Sequence, residues 1–115
     1  MNTFKKKNPL KKRINDSHNV IEKYPERTPI IVQKNYKSEI QEIDKIKYLV
    51  PKDMTISQFT FVIRKRIKLD SSQAIFITIN GKLVTPSTTV GDMYRDEKDE
   101  DGFLYVMYSG ENTFG

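Results

Sequence analysis

The stretch Thr55-Ile56-Ser57-Gln58-Phe59-Thr60-Phe61-Val62-Ile63-Arg64-Lys65-Arg66-Ile67 constrains the fold more than any other. A threonine followed three residues later by glutamine is a capping box. The Thr55 oxygen can accept an amide that a helix start leaves unpaired, and the Gln58 side chain can reach back. Phe59, Val62, Ile63 and Ile67 follow at helical spacing and make one face apolar. Arg64, Lys65 and Arg66 crowd the end, where cations suit the helix dipole. Such a face needs an apolar surface to cover, and the segments around it are short and rich in β-branched and aromatic residues. TPIIVQK (28–34), AIFITI (74–79) and FLYVMY (103–108) read as strands. One sheet against one strong helix is an α+β arrangement.

The remaining segments fill in this layout. Residues 1–9 predict a short turn of helix ending at Pro9. Leu10, Ile14, Val20, Ile21 and Tyr24 predict a second helix that stops before Pro25. NYKSEIQEID (35–44) predicts a connection with a short helix. KIKYLVP (45–51) alternates lysines with apolar residues and ends at proline, which suits an edge strand running from Lys45 to Leu49. Asn80-Gly81 is a hairpin signal with KLV (82–84) returning. TVGDMY (89–94) predicts a turn or two of helix, and DEKDED (96–101) a solvated loop. The simplest arrangement is a β-grasp sheet with two additional helices in front of it. The expected units are a basic helical segment 1–24, the β-grasp domain 25–108 and a conjugation tail 109–115.

Composition removes most chemistry. The 115 residues contain no cysteine and one histidine, His18. No thiol nucleophile, Cys–His pair or multi-His metal site can be assembled from that set. A calcium loop placed with Gly102 at its sixth position has Tyr108 where the closing glutamate belongs, so no metal is expected. No Gly-rich phosphate loop is present, and no apolar run approaches the ~18 residues of a membrane span. The first 18 residues carry Lys5, Lys6, Lys7, Lys11, Lys12 and Arg13 against Asp16 alone. The other 97 residues balance, with 14 basic and 14 acidic side chains. That asymmetry fits either a solvated helix face that aids solubility or an anionic partner, a lipid surface or an acidic protein tail such as those of tubulin. Phe4 is the one aromatic among these charges, which argues against nucleic acid as the partner.

Three stretches carry a family resemblance: KYPERTPIIVQK (23–34), DKIKYLVPKDMTISQFTFVIRKRI (44–67) and DEDGFLYVMYSGENTFG (99–115). Their order and spacing resemble the autophagy ubiquitin-like modifiers. This is the autophagy-related protein eight family, which includes GABA-receptor-associated protein and microtubule-associated protein light chain three. The resemblance implies a non-enzyme that other enzymes act upon. An activating enzyme spends ATP on the C-terminal glycine carboxylate, and a conjugating enzyme passes it on through a cysteine thioester. The product is an amide with phosphatidylethanolamine. Gly115 would be the lipidated residue, because a Cβ there would obstruct entry into a narrow active site. Phe114 would be recognised by those enzymes and by a processing cysteine protease, which in family precursors removes residues beyond the glycine. No cofactor of its own is implied. A cytoplasmic monomer is expected, moving to the autophagosome membrane once lipidated.

The resemblance also implies a groove for receptors carrying an aromatic-x-x-aliphatic motif. Its aromatic pocket would comprise Asp16, Val20, Pro29, Ile31, Lys47, Leu49 and Phe103. Its aliphatic pocket would comprise Tyr48, Val50, Pro51, Met54, Phe59, Val62 and Arg66. Arg27 and Lys45 would meet acidic flanking residues. Met54 and Val20 stand where relatives commonly carry leucine and isoleucine, which keeps both positions apolar. Packing alone also accounts for Ile31, Phe59 and Val62. The rival expectation is an adaptor that binds peptides, in vesicle trafficking or on microtubules, without ever being conjugated.

Overall fold

The computed structural model describes residues 2–110. Its elements, in order, are α1 (Thr3–Lys7), α2 (Leu10–Lys23), β1 (Arg27–Lys34), β2 (Lys47–Pro51), α3 (Ile56–Arg66), β3 (Phe76–Ile79), β4 (Lys82–Leu83), α4 (Val90–Glu97) and β5 (Leu104–Ser109). The strands form one sheet in the order β2-β1-β5-β3-β4. β1 runs parallel to β5, and the other neighbours are antiparallel. This is the α+β, ubiquitin-like arrangement expected from the sequence.

Strand alternation divides the core between the two faces of the sheet. Ile30 pairs with Tyr48 on one side and Leu104 on the other, and Val32 pairs with Val106. These residues bury against Phe59, Ile63 and Ile67 around α3. Ile31, one position along, faces the other way and joins Phe4 and Phe103 in a second, smaller cluster, with Tyr105 packed against it. Phe4 meets Phe103 edge to face at 5.7 Å, a favoured geometry for aromatic pairs.

A polar cluster seats α2 beside that second core. Arg13 donates to Asp101 Oδ2 at 2.7 Å, and the Asp101 carboxylate is fully buried. The Tyr105 hydroxyl donates to the same oxygen, and Ser17 Oγ donates to the Asp101 carbonyl at 2.5 Å. Burial, together with the carboxylate it bonds, pushes the Tyr105 hydroxyl far above the ordinary tyrosine range. Gly102 takes φ +89°, and a Cβ there would overlap the Ser17 hydroxyl.

Several local expectations are corrected. DEKDED is not one solvated loop: Asp96 and Glu97 close α4, and Asp101 turns inward because Arg13, Ser17 and Tyr105 all satisfy it. Residues 35–44 form no helix; the segment is held by side chain-to-backbone bonds instead. The strand expected from Lys45 begins at Lys47, although the Ile46 carbonyl still accepts from Val32 at 2.8 Å. β5 runs to Ser109, one residue past the expected end of the strand at Tyr108.

The capping box of α3 forms with both arms in place. Gln58 N donates to Thr55 Oγ1 at 3.1 Å, and Thr55 N donates to Gln58 Oε1 at 2.9 Å. Since α3 covers the main core, Thr55→Ala is expected to destabilise the domain by about 1 kcal/mol. Urea unfolding reads this as a lower midpoint with an unchanged slope.

Candidate functional site

β2 is the outermost strand, so one of its edges has no partner strand among the described residues. The register shows which groups lie on that edge. The bond from Val32 N to the Ile46 carbonyl sets the hydrogen-bonded pairs at Val32–Ile46, Ile30–Tyr48 and Thr28–Val50. Pro29–Leu49 and Ile31–Lys47 are the alternating non-bonded pairs. The amides and carbonyls of Lys47 and Leu49 therefore point away from β1, toward the outer edge. Pro29, which has no N–H to offer, occupies a position where β2 asks for none.

The side chains of β2 alternate across the sheet. Lys47 and Leu49 lie on the face that carries α1 and α2, with Pro29 and Ile31 paired beside them. Phe103 lies in the same cluster as Ile31. Val20 and Asp16 are half-buried on α2, and Asp16 accepts from Lys12 at 2.8 Å. Ile31 and Phe103 are closed in by Phe4, over whose ring the Lys47 ammonium sits at 5.5 Å. The accessible members of the predicted aromatic pocket are thus Lys47 and Leu49, with Val20 and Asp16 at its side.

Tyr48 and Val50 lie on the opposite face, toward α3. Tyr48 meets Phe59 edge to face at 5.5 Å, and both belong to the main core. Met54 and Val62 pack on that core but stay half-exposed, and Pro51 is exposed. The accessible part of the predicted aliphatic pocket is accordingly Met54, Val62 and Pro51 over a floor of Tyr48, Val50 and Phe59. The Tyr48 hydroxyl is buried without a hydrogen-bond partner among the described residues, and burial raises its pKa.

Cations line both ends of the edge. Arg66 is half-exposed and holds Asp44 with two bonds, at 2.7 and 3.2 Å. The Lys45 ammonium stands 5.1 Å from the Tyr48 ring centre. Arg27 is exposed at the far end, its guanidinium 5.7 Å from the Tyr24 ring. Elsewhere the N-terminal charge is partly neutralised internally: Lys5 reaches Asp99 at 2.6 Å and Lys12 reaches Asp16, besides the Arg13–Asp101 pair.

Two residues of this region escaped the sequence reading. Asp44 sits in a polar run and gives no sign of its partner Arg66, which is 22 residues away. Phe4 carried a signal, as the only large apolar side chain among the lysines of the first helix. Phe114 and Gly115, singled out for conjugation, lie outside the described residues.

Comparisons with known proteins agree on one family. The family model "Autophagy protein Atg8 ubiquitin like" matches residues 12–115. Autophagy-related protein 8e of Arabidopsis thaliana is 54% identical over 112 residues, covering 97% of this chain and 92% of its own. Autophagy-related protein 8b of the same plant is 52% identical over 114 residues, covering 99% and 93%. The crystal structure of Trypanosoma brucei ATG8 superposes with a TM-score of 0.93 at 43% identity, over 100% of this chain and 99% of that one.

The Arg66 bonds hold the Asp44 carboxyl below its ordinary value. The pair is therefore fully formed above the ordinary carboxylate pKa and is lost as pH falls through the depressed one. Carbon-detected NMR titration should place the Asp44 midpoint below that of an exposed aspartate. In Arg66→Ala it should rise toward the ordinary value.

Proposed function

The chain belongs to the Atg8 family of ubiquitin-like autophagy proteins, and from that membership we propose that it is a modifier conjugated through Gly115 to phosphatidylethanolamine. It is acted on by activating and conjugating enzymes and a cysteine protease, and performs no catalysis itself. Once on the membrane, it recruits receptors and adaptors through the β2 edge.

One observation supports the recruitment reading most: the edge offers accessible apolar surface on both faces of the sheet. A peptide strand added to β2 would exchange main-chain bonds with Lys47 and Leu49. Its side chains would alternate between the faces, so residues three positions apart point in opposite directions. An aromatic-x-x-aliphatic motif then places its first anchor by Lys47 and Leu49 and its second by Met54 and Val62. Acidic residues beside the motif would meet Lys45, Arg66 or Arg27.

The conjugation reading rests on family membership and on the Phe114-Gly115 pair. Glycine leaves the carboxylate unobstructed for adenylation and thioester transfer. The final amide would tether the domain to the bilayer and bring α1 and α2 near anionic headgroups. Lys7 and Lys11, both exposed, would then contribute on the order of 1 kcal/mol each beside such a surface.

Two experiments test these parts separately. With activating and conjugating enzymes, ATP and phosphatidylethanolamine vesicles, the wild type should yield a lipidated product and a Gly115 deletion none. Equal function from the deletion in cells would favour the non-conjugated adaptor. For the groove, Lys47→Glu with Leu49→Ala should weaken an acidic-flanked motif peptide about tenfold, equivalent to about 1.4 kcal/mol, by calorimetry. Unchanged affinity would remove the β2 edge from the account.

A further inference from the structure

The β1–β2 connection does more than link two strands: it grips the chain where β5 ends. Asn35 N donates to the Tyr108 carbonyl at 2.8 Å, and the Tyr108 hydroxyl donates to the Gln41 carbonyl at 2.8 Å. The Gly110 amide donates to Ser38 Oγ at 3.1 Å. That bond lies one residue beyond the last sheet pair of β5, Ser109 with Phe76.

Ser38 is held firmly enough to act as an anchor. It is 4% exposed, and its amide donates to the Asn35 carbonyl at 3.0 Å. Its carbonyl accepts the Lys34 ammonium at 2.5 Å. Its hydroxyl oxygen accepts a second amide, from Ile40, at 3.2 Å, so both lone pairs are engaged. Ile40 also walls the site: a Cβ on Gly110 would stand 3.1 Å from its Cδ1 and 3.2 Å from its Cβ. A cleft of about 600 Å³ between this loop and residues 69–74 opens beside Gly110, leaving the spot approachable.

We propose that Ser38 is a positioning residue for the chemistry at Gly115, fixing the point from which the last five residues reach into an enzyme; the inference rests on the conjugation reading above. Five residues span at most roughly 18 Å. Without the Ser38 hydroxyl the pivot retreats to Ser109 or Tyr108, which adds up to about 7 Å of tether. Effective concentration falls as roughly the −3/2 power of tether length, at most about 1.7-fold here. A hydrogen bond that also sets direction brings the loss to as much as about tenfold.

The experiment uses the full chain, wild type and Ser38→Ala, charged onto purified activating enzyme with ATP, and the amide exchange of each by NMR. Ser38→Ala should exchange the Gly110 amide about tenfold faster while Val106 is unchanged. Its kcat for thioester formation should fall between about twofold and tenfold with KM and motif-peptide affinity unaltered. Ser38→Thr, which keeps the hydroxyl, should restore both. Gly110→Ala, which forces Ile40 aside, should lower kcat in the same way and serves if Ser38→Ala fails to fold. A charged wild type with kcat unchanged in Ser38→Ala, or a Gly110 exchange rate that does not move, overturns the inference alone. A wild type that is never charged overturns the conjugation reading and this inference together.

Discussion

β1 lies between β2 and β5 and is buried on both faces, and the functional geometry follows from that position. Its residues alternate between the α3 core and the smaller core under α1 and α2. Helical layers are thereby placed on opposite sides of one sheet. β2, which among the described residues pairs only with β1, inherits a backing on each face and one unpartnered edge. A strand with polar backbone on its edge and apolar surface on both faces suits an extended peptide. Charged neighbours such as Lys45 and Lys47 protect it from pairing with other copies.

Much of this was legible in the sequence, because the informative signals are local. The Thr55–Gln58 box located the start of α3 to the residue. Asn80-Gly81 announced the β3–β4 hairpin, and both residues take the positive φ such a turn demands. What stayed hidden depends on partners far apart in the chain. Asp101 looks solvated within DEKDED, and its bonds with Ser17, Tyr105 and Arg13, the last 88 residues away, explain its burial. The 35–44 segment has spaced isoleucines that resemble a helix. Ile43 instead enters the main core and Ile40 packs on its surface, while Ser38 and Asn35 satisfy the backbone that a helix would have paired. Site residues came from family likeness, which names positions but does not distinguish a wall from a floor. Ile31, Phe59 and Phe103 are floor.

One connection touches both of the proposed functional regions. The β1–β2 loop begins beside the end of β5, where Ser38 holds Gly110, and ends at the groove, where Asp44 holds Arg66 and Lys45 covers Tyr48. The parallel pairing of β1 with β5 makes this possible, since it brings Lys34 opposite Tyr108 at the same end of the sheet. The N-terminal helices contribute on the other face, where Lys5, Lys12 and Arg13 are held by carboxylates within the fold. Their charge serves first to seat them.

The central claim is that the β2 edge reads a motif by its two opposed faces. Spacing tests this directly, because a strand reverses its side chains with every residue. Calorimetry should compare a peptide carrying aromatic-x-x-aliphatic anchors with one of the same composition carrying aromatic-x-aliphatic anchors. The first should bind, and the second, with both anchors on one face, should bind at least about tenfold more weakly, a difference of about 1.4 kcal/mol. Equal affinity for the two peptides would contradict it.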